Sequence, residues 1–375
     1  MGGGTESLPV MPQGAGVLRK SAVPNPSSDL GCSWADAASI ARAGLQAGKN
    51  FYDEGVRISV SSSSQMINAR FSIDEDDVRS FAVHGFLKLR QIFSEKFVEH
   101  LREINTSQIV PPSDNYGAGF SKLKYDIGND DPAILALMSD TSFSAAIARI
   151  VDQSVFFTQG LGFELEKNKS TGFPWHVGTQ SFGFQRREDA GYTIWAPLCR
   201  INAHGQRGGM KYISKQLLSG EFIYQHINLL PTYMQTKIES GQSFTFDDFS
   251  NLKNSLVNSP QMAGLLDHFA VEDSFEPGDA LIFDKYVLHR SVKLEEGPLP
   301  SRLAYALRFC SIDARYDDAR VKALSYPRDV FKYDVGSNFN DMVAATDGEQ
   351  VYASPYFDGS REARTLMSGQ SLQNI

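Results

Sequence analysis

The chain has 375 residues, which is long enough to bury a substantial core, either as one decorated domain or as a core with an appendage. A formal net charge of -8, a pI near 5.4 and the lack of any dense run of Lys and Arg argue against a nucleic-acid-binding surface. The three cysteines show no CxxC spacing, which argues against a disulfide framework or a thiolate metal site and favours a reduced, cytoplasmic protein with a small-molecule partner.

The N-terminal part of the chain is predicted to lie outside the main domain. Residues 1–31 are rich in Gly, Ser and Pro and are predicted to form a disordered leader. Residues 32–70 are predicted to be a helical extension, in which Ser33 caps a helix that starts near Asp36. No apolar run has the length of a signal peptide or of a membrane span, so we expect no membrane partner.

A folded domain is predicted over residues 71–325. The pattern Ser72-Ile73-Asp74-Glu75 indicates a capping box that opens a helix, and this helix is expected to stop at Gly85. A short strand and a helix from Ser94 follow. Further along the chain, two helices and three strands are predicted at 131–138, 143–151, 155–165, 192–198 and 210–214.

Residues 215–273 are mostly helical in pattern, with helices predicted near 229–238, 246–257 and 260–269. An insertion of this size between two strands is typical of a lid over a site. Its histidines, His226 and His268, are spare ligand candidates. Residues 326–375 are predicted to be a C-terminal extension, since the chain is loop-rich beyond residue 320 and its last fifteen residues look frayed.

A candidate metal ligand lies in the aromatic segment 173–184. His176 follows a turn that contains Gly172 and Pro174, a position where a strand end can hold a ligand. A mononuclear iron site with two imidazoles and a carboxylate commonly places one His and the carboxylate at i and i+2 of a strand. Here that second position is Gly178, which has no side chain.

A second stretch, 276–309, reads turn, strand, His289, loop and a strand that carries arginines. Alternation along 302–309 places Arg302 and Arg308 on one face with small alanines between them, while the larger apolar side chains occupy the other face. At a rise of about 3.3 Å per residue the two arginines lie roughly 20 Å apart, so only one can bind a given carboxylate. Arg308 is expected to form a rim or surface ion pair.

Together the two stretches resemble the phytanoyl-CoA dioxygenase-like branch of the Fe(II)/2-oxoglutarate oxygenases. The resemblance implies a mainly β protein with flanking helices, built on a double-stranded β-helix (jelly-roll, cupin-like) core with a helical insertion. It implies that His176 and His289 bind the metal. It also implies that Arg302 binds 2-oxoglutarate and that Ser291 contacts it, and that Fe(II), 2-oxoglutarate and O2 are required.

The Asp of the family's Trp-His-x-Asp motif is replaced by Gly178, as in the family's non-haem halogenases. Resemblance therefore implies that chloride binds the iron, that 2-oxoglutarate is decarboxylated with O2, and that chlorine is returned to a substrate carbon. Thr179 and Gln180 are expected either to hydrogen-bond near the metal or to take part in ordinary strand pairing. Trp195 is one of several aromatics that suit a flat or apolar substrate, free or tethered to a carrier protein.

Three other functions remain open from the sequence. A water, Gln180, Glu188 or Asp189 could complete the iron site, and the enzyme would then be a hydroxylase, desaturase or cyclase of the same superfamily. The chain could be a non-catalytic member that binds a ligand, although the presence of both histidines and Arg302 argues against this. It could also be a cupin-like binding protein with a structural metal.

Overall fold

The structure, a computed structural model, describes residues 66–112, 119–332, 339–344 and 346–367. The predicted leader at 1–31 and the helix predicted near Asp36 lie outside the described residues. Within the described part, the helices are Glu75–His84 (α1), Glu95–Gln108 (α2), Pro132–Met138 (α3), Thr141–Val151 (α4), Glu221–His226 (α5), Leu230–Glu239 (α6), Phe246–Asn258 (α7), Pro260–Phe269 (α8), Asp318–Phe331 (α9) and Phe339–Met342 (α10).

The strands form two antiparallel sheets. They are Phe86–Leu89 (β1), Lys122–Tyr125 (β2), Val155–Glu166 (β3), Gly191–Pro197 (β4), Met210–Tyr212 (β5), Val271–Glu272 (β6), Ala280–Asp284 (β7), His289–Ser291 (β8), Ser301–Ser311 (β9) and Thr365–Leu366 (β10). The large sheet has the order β1-β7-β4-β9-β3-β10 with β2 also paired to β3, and the small sheet has the order β6-β5-β8. The predicted jelly-roll core is therefore confirmed.

The large sheet is covered on both faces, which explains why β3, β4 and β7 are buried almost throughout. On one face, helices α1 to α4 bury Phe97, Phe143 and Ile147 against Ile194 and Leu307 of the sheet. On the other face, the small sheet closes over Trp195, Phe283 and Ala306. The alternation predicted for β9 is confirmed, since its alanines face the small sheet while Tyr305, Leu307 and Phe309 face the helices.

The insertion 215–273 contributes α5 to α8 and a 3-10 turn, Ile227–Leu229. Helices α7 and α8 share the capping residue Ser259, and a capping box at Thr245 starts α7 because the Thr245 and Asp248 side chains each accept from the other residue's backbone N–H. Among the described residues no single helix is long and apolar enough to cross a membrane. The bent pair of α3 and α4 reaches that length and apolar composition only when the two helices are taken together.

Three local predictions were wrong. Asp74, not Ser72, caps α1, because its carboxylate accepts from Asp77 N (2.9 Å) while the Asp77 carboxylate accepts from Asp74 N (3.1 Å). The region beyond residue 320 is not simply loop-rich, since α9 continues to Phe331 with Pro327 inside it. Residues 361–367 are not frayed: β10 pairs with β3, and the Arg364 side chain is buried and bonded to Asn129 O (2.7 Å).

Candidate active site

His176 and His289 lie side by side, with ring centroids 4.1 Å apart. Their backbones form an isolated antiparallel bridge in which His176 N donates to His289 O and His289 N donates to His176 O, both at 3.0 Å. His289 belongs to β8 at the edge of the small sheet, so the bridge fixes the loop that carries His176 against that edge. The two candidate ligands are thus brought together as the sequence predicted.

The tautomer of both imidazoles follows from their hydrogen bonds. His176 Nδ1 lies 2.7 Å from Pro174 O, and His289 Nδ1 lies 2.8 Å from Val287 O. A carbonyl oxygen only accepts, so in the neutral ring Nδ1 carries the proton and Nε2 keeps its lone pair. This is the arrangement in which a histidine can bind a metal through Nε2.

The surroundings keep both rings neutral. Burial, together with the nearby positive charges of Arg308 and Lys253, lowers the pKa of His176 to about 4. Burial, followed by the charges of His176 and Arg308, lowers the pKa of His289 well below its usual value. Two neutral imidazoles with available lone pairs are a donor set for a borderline divalent metal ion.

The segment after His176 is not a strand, which corrects the sequence-based expectation. Residues 178–184 form turns, and Tyr224 Oη donates to the carbonyls of Phe182 (2.7 Å) and Gln185 (2.9 Å). Strand pairing at Thr179 and Gln180 is therefore excluded. Both residues instead line the cavity beside the histidines.

Arg302 is fully buried and holds an incomplete set of hydrogen bonds. Its Nε donates to Gly208 O (2.7 Å), while Nη1 and Nη2 have no partner among the described residues. The guanidinium lies 5.4 Å from the ring centroid of Phe163 and 5.5 Å from that of Trp195. Burial lowers the pKa of Arg302 to about 10, so it stays charged at neutral pH. An unpaired buried cation is costly and suits an anionic ligand.

Arg308 does not form the predicted rim or surface ion pair. It is 9% exposed, its Nη1 donates to Thr193 Oγ1, and it lines the same cavity as the two histidines. A bulge in β3 between Phe157 and Gln159 lies opposite it, and bulges commonly redirect side chains at sites. The alternation along β9 was the signal that could have placed Arg308 inside.

The cavity has a volume of about 280 Å³ and lies between the two sheets and the insertion. Trp195 and Ser291 line it, and Ser291 Oγ accepts from Phe173 N (3.1 Å). The Trp195 indole N–H is buried without a partner among the described residues, as is that of Trp175. Of the two spare histidines, His226 lines the cavity and His268 does not.

No Asp or Glu is found among the described residues that line this cavity, and those residues contain no cluster of three metal-binding side chains. Of the carboxylates that could have replaced the missing ligand, Glu188 is exposed, and the Asp189 carboxylate accepts from Arg315 N (2.7 Å). Neither lines the cavity. Within the described ranges, therefore, no carboxylate side chain is placed beside the two imidazoles.

Gly178 has little free space beside its backbone. A Cβ built on it would lie 2.7 Å from Phe182 Cδ2 and 3.2 Å from Lys285 Cβ, and Gly178 does not itself line the cavity. Phe182 is fully buried, so its ring can shift only at a cost. The space next to the backbone at 178 is filled by this ring.

Comparisons with known proteins gave similarity only among solved structures, since no protein-family model and no curated protein match the chain. The non-heme alpha ketoglutarate dependent carbocyclase SnoK from nogalamycin biosynthesis is 11% identical over 74% of this chain and 93% of that chain, with a TM-score of 0.48. The corresponding epimerase SnoN is 15% identical (74% and 91% covered, TM-score 0.47). EvdO2 from Micromonospora carbonacea var. aurantiaca, complexed with 2-oxoglutarate, is 18% identical (66% and 94%, TM-score 0.42). These identities are too low to transfer residue roles.

The residues on this chain nevertheless fit a metal ion and a dicarboxylate on their own chemistry. The two Nε2 lone pairs suit Fe(II), and the unpaired Nη1 and Nη2 of Arg302 match the fork geometry of a carboxylate. Arg302 is not among the residues that line the cavity, whereas Ser291 and Arg308 both line it beside the two histidines.

Proposed function

We propose that this protein is an Fe(II)-, 2-oxoglutarate- and O2-dependent oxidoreductase that functionalises a C–H bond of a small molecule. One observation carries the proposal: two neutral imidazoles, joined by their backbones and each with an available Nε2, line one cavity. The barrel also contains Arg302, a buried arginine whose Nη1 and Nη2 have no partner among the described residues. If the two histidines served only to stabilise the fold, there would be no reason for a buried guanidinium with unsatisfied hydrogen bonds in the same barrel.

In this proposal each residue of the site has a separate role. His176 and His289 would hold Fe(II), Arg302 would neutralise and orient 2-oxoglutarate, and Ser291 would contact it from the cavity wall. When bound, iron and 2-oxoglutarate supply the oxidising power that activates O2 and removes a substrate hydrogen. The apolar wall, which includes Phe163, Trp195 and Phe283, excludes bulk water and strengthens each charged contact.

Halogenation is the finer form of this proposal. Two neutral imidazoles give the metal no negative charge, no described cavity residue supplies a carboxylate, and Arg308 and Lys253 add positive charge nearby. A bound chloride would compensate this charge. The balanced reaction converts substrate, chloride, a proton, 2-oxoglutarate and O2 into chlorinated substrate, succinate, CO2 and water.

Reconstitution with and without chloride tests this proposal. The protein loaded with Fe(II) and 2-oxoglutarate under anaerobic conditions is expected to show a metal-to-ligand charge-transfer band that shifts when chloride is added. Succinate formation after oxygenation is expected to rise at least about tenfold with chloride, because the anion completes the coordination. Lack of both the band and succinate would contradict the oxidoreductase assignment, whereas a chloride-independent band would contradict halogenation alone.

The crowded surroundings of Gly178 favour a second candidate, hydroxylation, desaturation or ring closure without a halide. The Phe182 ring occupies part of the space that an Asp side chain at position 178 would need. The space left for a chloride is therefore smaller than an Asp side chain. Full turnover in chloride-free buffer would support this candidate.

Substitutions at Gly178 distinguish halogenation from the reactions that need no halide. Gly178→Ala and Gly178→Asp meet the same Cβ contact with Phe182, so Gly178→Ala is expected to lower stability by roughly 1–3 kcal/mol. Gly178→Asp is expected to lower it further in the metal-free protein, because it also buries a carboxylate. Only Asp adds a carboxylate, and we expect Gly178→Asp to abolish chlorination while Gly178→Ala keeps it. Chloride incorporation is measured by mass spectrometry and stability by urea unfolding. Unchanged chlorination in Gly178→Asp would refute the halide position.

A further inference from the structure

The side of the cavity that the insertion forms is called here the outer half, and the side with the two histidines is called the inner half. The two halves differ in polarity and charge. The wall of the outer half is mostly apolar, with His226 and Ser250 as neutral polar members; the apolar residues are Ile223, Ile227, Phe246, Phe249 and Val257. Lys253 on α7 is the only Lys or Arg that the described residues of the insertion contribute to this wall. A molecule that lies under the insertion therefore meets an apolar surface with one positive charge.

Lys253 lacks the ion pair that three other partly buried lysines of the described chain have. Lys88, Lys211 and Lys215 pair with Asp279 (3.2 Å), Asp267 (3.2 Å) and Asp284 (2.6 Å). Among the described residues Lys253 has no carboxylate within salt-bridge distance, and its Nζ lies 5.9 Å from the centroid of the Phe249 ring. A half-buried ammonium without an anion is costly unless a ligand supplies one.

The charge of Lys253 acts on the metal site. It contributes to lowering the pKa of His176. Lys253 and His176 line the same cavity, so one bound molecule can contact both positions. Burial lowers the pKa of Lys253 itself, with no opposing carboxylate. A side pocket of about 30 Å³ adjoins it, and the carboxylate there, Asp341, is already paired with Arg328 (2.6 Å).

We propose that the substrate of this enzyme is a small amphiphile with an apolar body and one anionic group, a carboxylate or a phosphate, and that Lys253 pairs with this group and determines specificity. The inference rests on the proposed function, in which the inner half is occupied by 2-oxoglutarate. Lys253 and Arg308 together would repel a cationic substrate. The apolar wall between the ammonium and the imidazoles then fixes which carbon of the substrate faces the metal.

The test compares probes that share one skeleton and differ in charge. Naphthalene-2-carboxylate, 2-naphthyl phosphate and neutral naphthalene-2-carboxamide are titrated by calorimetry into the anaerobic protein loaded with Fe(II) and saturating 2-oxoglutarate. The wild type is expected to bind one of the anions at least about tenfold more tightly than the amide. The tighter of the two anions identifies the head group.

Variants at position 253 show whether Lys253 causes the tighter binding of the anionic probe. Lys253→Met is expected to bind anion and amide within about twofold of each other, while Lys253→Arg keeps the preference. Lys237→Met is the matched control, because Lys237 lies on α6, bonds Gln242 Oε1 (2.8 Å) and does not line the cavity. It changes net charge equally and should leave the preference intact.

The outcomes separate this inference from the proposed function. Equal or undetectable binding of anions and amide by the wild type, or an anion preference that survives in Lys253→Met, overturns the role of Lys253. Succinate formation and the charge-transfer band, measured on the same preparations, report on the proposed function alone. If the protein fails to bind Fe(II) and 2-oxoglutarate, the same titration on the unloaded protein still compares wild type with Lys253→Met.

Discussion

Replacing His176 or His289 by Ala is expected to abolish iron binding and 2-oxoglutarate turnover. Disrupting the partner of a ligating histidine typically weakens metal binding about 10- to 100-fold, and removing the ligand should exceed that. The backbone bridge between the two residues does not involve their side chains, so the site's main chain is expected to persist. Equilibrium dialysis with Fe(II) and succinate assays measure both effects.

A histidine outside the cavity serves as the control for the effects of a His-to-Ala substitution that do not involve the metal site. His268 on α8 is exposed and does not line the cavity, so His268→Ala should bind iron like the wild type. Circular dichroism and the unfolding midpoint show whether each variant folds. Wild-type iron affinity in a folded His176→Ala or His289→Ala protein would remove the basis of the proposed metal site.

Replacing Arg302 by Met is expected to abolish binding of 2-oxoglutarate while leaving the unliganded protein about as stable as the wild type. Loss of one member of a paired buried charge costs about 3–5 kcal/mol, but among the residues that the structure describes Arg302 has no carboxylate partner that the substitution would leave unpaired. The lost bond to Gly208 O costs about 1 kcal/mol, and the relieved burial of a charge offsets it.

Thermal unfolding with and without 2-oxoglutarate distinguishes the two arginines. A ligand at 100 times its Kd stabilises the wild type by about 2.7 kcal/mol, and this gain should vanish in Arg302→Met. Arg302→Lys keeps the charge without the planar fork and should restore only part of it. A gain that survives in Arg302→Met but is lost in Arg308→Met would assign the co-substrate to Arg308.

The sequence predicted the faces of β9 because they depend on a local rule, whereas the pairing of His176 with His289 was predicted through the family resemblance. The turn before His176 and the alternation of large and small residues along β9 act over a few residues, and period-2 burial then decides which side chains face inward. The depth of Arg308 depends on the β3 bulge and on closure by the small sheet, which are tertiary features.

Other features escaped prediction for equally physical reasons. Phe182 and Phe184 gave segment 178–184 the composition of a strand, yet they are buried in a second core cluster from a turn. Pro327 normally ends a helix, but α9 continues past it because its flanking residues pack on the insertion. Which turn of α7 points Lys253 into the cavity depends on how the insertion docks, and no local pattern encodes that.

The reciprocal main-chain bonds between His176 and His289 have a consequence for how such a centre can change over time. Because the separation of the two imidazoles is set by the backbone, substitutions in the surrounding wall can redirect reactivity without disturbing where the ion is held. If the proposed site holds a metal, the backbone would determine where the ion binds and the surrounding side chains would determine its chemistry.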